Sequence, residues 1–225
     1  EPDLLDNIIR IGLDTKIVGD FLWSIDYVVD FVGFPFDKNN EYTVNEIETG
    51  LRQDISDRLY QKIIYSFSHK HYPKRKTRNR GGVFRLGDRE DTRNTFEHQL
   101  GLYLTDRTFV ETENSIYFNN SNELYLDYYD YTSVKTKAGV VHLITDKLYG
   151  SANAGYQYKA YKNRSASGSS KDQADHLLMC GTSIFYDITP ALSIGTNFDY
   201  RKNFSNEGEQ KYTDYIMSGG LYARF

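Results

Sequence analysis

From Ile17 to Phe31 the odd positions are Ile17, Gly19, Phe21, Trp23, Ile25, Tyr27, Val29 and Phe31, while the even positions include Asp20, Ser24, Asp26 and Asp30. Residues two apart share a face only in extended backbone; a helix would scatter those four polar residues around nearly half its circumference. The pattern predicts a strand, and a long one. A strand of a soluble sheet has about 5–6 residues, whereas a tilted strand that crosses a bilayer needs roughly 9–11.

The alternation returns near the other end. Leu192, Ile194, Thr196, Phe198 and Tyr200 oppose Ser193, Gly195, Asn197, Asp199 and Arg201. Tyr215, Met217, Gly219, Leu221, Ala223 and Phe225 oppose Asp214, Ser218, Gly220, Tyr222 and Arg224. Leu178, Cys180, Thr182, Ile184 and Tyr186 form a weaker stripe. The 20 Tyr and 13 Phe, against 4 Pro, agree with sheet. Short turns are expected at Ile55–Asp57, Thr105–Arg107 and Asp187–Pro190, and longer polar stretches at Pro35–Asn40, Lys74–Arg93, Arg164–Gln173 and Ser205–Gln210. Tight turns alternating with long loops describe an antiparallel meander with two unlike rims.

Several classes are excluded or disfavoured. No run of about 18 apolar residues offers a transmembrane helix. The hydrophobic fraction of 39% does not argue against a membrane barrel, because such strands show lipid only every second side chain. Cys180 is the single cysteine, so neither an internal disulfide nor a cysteine metal cluster is expected. A net charge of −4 argues against a nucleic-acid partner. Glu1-Pro2-Asp3-Leu4-Leu5 does not read as a signal peptide, so an exported chain is expected here in mature or trimmed form.

The segment Ser218-Gly219-Gly220-Leu221-Tyr222-Ala223-Arg224-Phe225 resembles the terminal β-signal of Gram-negative outer-membrane β-barrels. Ser218, Gly220, Ala223 and Phe225 occupy its polar, glycine, hydrophobic and aromatic places, with Ala223 smaller than usual. The resemblance implies an outer-membrane location, with membrane lipid, lipopolysaccharide and the barrel-assembly machinery as partners. The ending is also somewhat similar to autotransporter translocators.

The expected fold is therefore all-β, an antiparallel transmembrane β-barrel of about ten strands starting near Ile17, with about twelve as the alternative. The uncertain turn lies within residues 108–147. Residues 17–225 form the barrel, and residues 1–16 an N-terminal periplasmic or plug segment, with an extra strand or a short helix as its open forms. Alternation does not say which face is inside. A soluble lipocalin-like barrel would invert the two.

Charged residues on the polar faces are candidate pore-lining groups: Asp20, Asp26, Asp30, Arg58, Lys62, Asp199, Arg201 and Arg224. The same residues would equally pair across a filled interior, since about eight strands only just enclose side chains. The basic run Lys74, Arg75, Lys76, Arg78 and Arg80 is a candidate site for phosphates or carboxylates of lipopolysaccharide or an acidic polysaccharide; a solvated loop is the plainer reading. His69 and His71 share a strand face but have no third ligand nearby, so no metal or other cofactor is expected. Ser66 and Ser68 beside His69 raise an acyl hydrolase, and the scattered Asp and His residues a protease, without supporting spacing. The tyrosines of Leu124–Tyr131 suit an interfacial belt or a sugar-stacking rim. The leading expectation is a transport or export channel for a small solute, polymer or passenger. The alternative is a non-conducting adhesive barrel whose loops hold a glycan or a periplasmic or surface partner.

Overall fold

The computed structural model describes residues 5–34, 40–125 and 127–223. Among these, eleven strands follow one another in a single antiparallel meander. They are β1 (Leu5–Lys16), β2 (Phe21–Gly33), β3 (Tyr42–Ser56), β4 (Leu59–Arg78), β5 (Phe84–Thr105), β6 (Thr108–Ser121), β7 (Tyr131–Leu143), β8 (Leu148–Ser165), β9 (Asp172–Thr189), β10 (Leu192–Ser205) and β11 (Tyr212–Ala223). Every strand has at least 12 residues, enough to cross a bilayer when tilted.

Short turns at 17–20, 57–58, 106–107, 144–147 and 190–191 form one rim, and the β2–β3, β4–β5, β6–β7, β8–β9 and β10–β11 connections leave the sheet at the other. At four of the short turns a hydroxyl accepts the backbone N–H two residues on: Ser56 from Arg58, Thr105 from Arg107, Thr145 from Lys147 and Thr189 from Ala191. Gly19, at φ +56°, makes the fifth.

The strand count corrects both the ten and the twelve read from the sequence. The ten strands counted from Ile17 exist as β2–β11, and residues 5–16 add β1, which pairs along β2 from Leu5↔Gly33 to Lys16↔Leu22. Residues 17–20 are the turn between them, so the alternation noted from Ile17 belongs to β2 only from Phe21. Within 108–147 the connection falls at 122–130, and residues 133–137 lie inside β7. The stretch Lys74–Arg93 is mostly strand: β4 and β5 extend past their neighbours as a hairpin, where Asn79 Oδ1 accepts the N–H groups of Gly81 and Val83.

The register puts all the polar stripes on one face. Asp26 stands opposite Glu48, Glu48 opposite Ser66, Ser66 opposite Thr95, and Thr95 opposite Tyr117. Three contacts on this face skip a strand: Tyr60 Oη donates to Glu111, Arg93 to Tyr131, and Gln157 to Tyr117. Such reach is available only if the sheet curls towards that face. Ser66, Ser115, Asn119, Ser133 and Asn203 are accordingly buried, while Ile47, Ile63, Phe96, Val134 and Ile194 are exposed on the convex side. This inverts a soluble barrel. The convex apolar face is what a bilayer covers, and the concave polar face is the interior.

β1 and β11 are the edges of the sheet and are not hydrogen-bonded to each other among the described residues. Because eleven is odd, both run towards the short-turn rim. Leu5 therefore lies at the long-connection rim and Ala223 at the opposite one.

Candidate functional site

The concave face carries most of the chemistry, sorted by depth. At the short-turn end it is aromatic: Tyr60 and Phe109 stack with ring centroids 6.2 Å apart, Tyr149 and Phe185 at 5.4 Å, and Tyr222 meets Phe185 edge-on. Two of these rings lie over glycines on the neighbouring strand. A Cβ on Gly101 would come within 2.3 Å of Tyr60, and one on Gly195 within 2.1 Å of Phe185. The missing side chains are what let the rings lie flat on the wall.

Above this floor come Glu97, Glu111, Glu113, Lys62, Lys135 and Lys137, with Lys135 ion-paired to Glu113. Nearer the long-connection rim the wall turns basic and aromatic. Lys70 Nζ sits 3.3 Å from the centroid of Tyr42 and 5.0 Å from that of Tyr72. Arg89 stacks between Tyr129 at 3.2 Å and Tyr72 at 4.5 Å, and its Nε donates to Asp91 Oδ1 at 3.0 Å. Arg93 lies 4.9 Å from the ring of Tyr117 and donates to Tyr131 Oη at 2.9 Å. Lys159 reaches Tyr131 at 4.8 Å, and Arg164 covers Tyr128 at 3.9 Å. Each such pair fixes a cation without neutralising it.

Of the residues proposed to line a pathway, Asp26 and Asp30 on β2, Lys62 on β4, and Asp199 and Arg201 on β10 share the concave face. They stand at different depths on separated strands. Asp20 falls in the turn 17–20, and Arg58 lies at the short-turn rim, 3.4 Å from Asp106. Arg224 lies outside the described residues. Ser218 and Gly220 of the terminal motif face inwards with Tyr222, Ala223 faces outwards, and Phe225 is outside the described residues.

The basic run is largely partnered. Lys74 meets Glu41, Lys76 meets Asp88, and Arg78 donates to Glu123 at 2.8 Å; Arg75 Nη2 donates to Asn40 and Arg80 sits at the hairpin tip. His69 and His71 point to the convex side, where Glu90 lies 3.5 Å and 3.6 Å away respectively. Among the described residues no cluster suits a metal ion. Ser66 and Ser68 are on the concave face and His69 on the convex one, so the serine–histidine pairing considered for a hydrolase does not form.

The basic-aromatic band escaped sequence reading because its members come from β3–β8 and the connection between β6 and β7. Its one local signal is the spacing of two residues in Lys70-x-Tyr72, Arg89-x-Asp91-x-Arg93 and Lys159-x-Tyr161. The tyrosines assigned to a lipid belt or sugar-stacking rim turn instead to cations: Tyr125 to Arg78, Tyr128 to Arg164, Tyr129 to Arg89 and Tyr131 to Lys159.

No family model and no curated protein matches the chain. Solved structures do. The siderophore receptor PirA from Pseudomonas aeruginosa superposes with a TM-score of 0.58 over 98% of this chain at 7% identity, and the chain spans 37% of that receptor. OmpT, an outer-membrane protein of Vibrio cholerae, gives 0.56 over 95% at 13% identity, with 64% of its own length spanned. The chain thus covers less than two thirds of either. The translocator domain of autotransporter NalP from Neisseria meningitidis gives 0.44 over 99% of this chain and 80% of its own, at 13% identity, too distant to support the autotransporter resemblance. The fold is that of the outer-membrane β-barrels, and the apolar convex face agrees with a sheet that a bilayer covers.

Proposed function

We propose that the concave face is the wall of a solute pathway across the outer membrane. The observation that carries this reading is the polar and charged lining above the aromatic floor, with Asp26, Asp30, Lys62, Asp199 and Arg201 among its members. Polar side chains along that wall lower the cost of moving a polar solute between hydrocarbon walls. In this reading the assembly machinery engages the β11 end through Ser218, Gly220 and Ala223, and lipid and lipopolysaccharide cover the convex face. The test is reconstitution of outer-membrane-extracted protein in planar bilayers. Discrete conductance steps support the pathway, and folded, heat-modifiable protein that never conducts overturns it.

A second reading, adhesion, draws on the hairpin. Beyond Tyr72 and Arg89 it projects past the ends of β3 and β6, with Phe84 73% and Leu86 98% exposed beside Arg80 and Arg85. Deleting residues 79–86 would abolish cell-surface binding on this reading and leave conductance intact.

A further inference from the structure

We propose that Lys70, Arg93, Lys159 and Arg164 form a binding track for an oxyanion-bearing solute, carrying carboxylate or phosphate groups, on the outer half of the concave face. This deepens the pathway reading and rests on it.

The charge balance of the band is the first argument. Among the described residues none of these four cations has a carboxylate within 4.0 Å, although their neighbours Arg89 and Arg78 do. The carboxylates closest in register are already committed. Asp91 stands opposite Lys70 but takes two hydrogen bonds from Arg89, and Asp175 stands opposite Lys159 but accepts from Gln173 and Ser205. Among the described residues none of the four is therefore held by a direct carboxylate contact.

The second argument is a donor without an acceptor. Arg93 Nε is buried and makes no hydrogen bond, while Nη2 of the same guanidinium donates to Tyr131. A buried N–H left unpaired is costly, and an oxyanion beside it would be held by a charge-assisted bond. Tyrosine faces under Lys70, Arg93, Lys159 and Arg164 hold the head groups apart along the wall. The series runs from β4 through β5 to β8, so it suits an anion with several charged groups better than a single ion. Acidic residues flank the β4 end of the band: Asp30 on β2 shares a row with Lys70 through Val44, and Glu46 on β3 shares one with Arg93 through Ser68. They mark the border of the track on that side.

The experiment uses the folded full chain in planar bilayers, with tripolyphosphate and oligogalacturonate as the phosphate and carboxylate probes and maltotriose as the neutral control. Both anions, or one of them, should block current at concentrations that maltotriose does not match, and which one blocks identifies the oxyanion. The R93Q/K159Q variant should need about tenfold or more anion for the same block, the effect of losing charge-assisted contacts. Where that variant fails to fold, R93K/K159R keeps the charge and changes only the geometry, and a loss of block of severalfold supports the track. Conductance with no anion block, or with block unchanged in both variants, overturns the track and leaves the pathway standing. If folded protein does not conduct, the pathway falls, and equilibrium dialysis with the same probes decides the track alone: no anion binding overturns it.

Discussion

Replacing Asp91 with asparagine isolates the strongest electrostatic commitment of the concave face. Arg89 and Asp91 are both 7% exposed and sit two residues apart on β5, joined by an Nε–Oδ1 bond of 3.0 Å and a second bond through Nη2. Removing one partner of a buried pair costs about 3–5 kcal/mol, because the other charge stays buried without compensation. The tyrosine faces at 3.2 Å and 4.5 Å remain in the variant, so their attraction largely cancels from the difference. The asparagine oxygen still accepts one hydrogen bond, worth about 1 kcal/mol. The expected loss is therefore about 2–4 kcal/mol. Replacing both residues, as R89M/D91L, should return stability to within about 1 kcal/mol of the parent, since an ion pair and a well-packed apolar pair of similar volume are close in free energy. The assay is urea titration of protein in lipid vesicles, with the folded fraction read from heat-modifiable gel mobility. A D91N loss below about 0.5 kcal/mol, or a double variant as unstable as the single one, would refute the burial argument.

Three further outcomes follow from other parts of the structure. Ile63→Arg, on the convex side of β4 and 56% exposed, should destabilise the vesicle-inserted protein by about 2–4 kcal/mol if the site lies near the bilayer centre; a neutral result would contradict the assignment of faces. Gly101→Ala must displace the Tyr60 ring, breaking its 3.2 Å bond to Glu111 and its 4.0 Å contact with Arg52, for about 1–2 kcal/mol in the same urea assay; parent-like stability would show that the ring does not lie over the glycine. In the connections at the long-connection rim, the backbone N–H of Ser167 donates to Glu207 at 2.8 Å and holds its carboxyl below the usual 4.5. A depressed folded pKa makes this tether present above that value and lost as pH falls through the lowered one, so hydrogen exchange at the Ser167 amide should lose protection only under acid. Protection that does not change with pH would break the link.

Legibility differed with the range of the contacts involved. The stripes of β2, β10 and β11 were visible because a period of two is a property of the strand itself. The short turns expected at Ile55–Asp57, Thr105–Arg107 and Asp187–Pro190 lie close by, at 57–58, 106–107 and 190–191, where the hydroxyls of Ser56, Thr105 and Thr189 act on backbone two residues away. β1 was left open between strand and helix because its convex residues, Ile9, Ile11 and Leu13, are few, and only pairing with β2 commits it. Lys74–Arg93 looked like a loop because charge suggests solvent. Its backbone is extended by cross-strand pairing, and its cations are matched by Asp88 across the hairpin and by Glu41 and Glu123 from outside the segment.

The sequence by itself determined that the chain is built of long two-faced strands joined by turns of unequal length, since each of those features is set by residues within a few positions of one another. Which face is inside, how many strands the sheet contains, that its two edges run the same way, and which cations stand unpaired beside tyrosines were decided only by the tertiary structure. Those depend on the direction in which the sheet curls and on register summed over eleven strands, and both come from contacts between residues far apart in the chain.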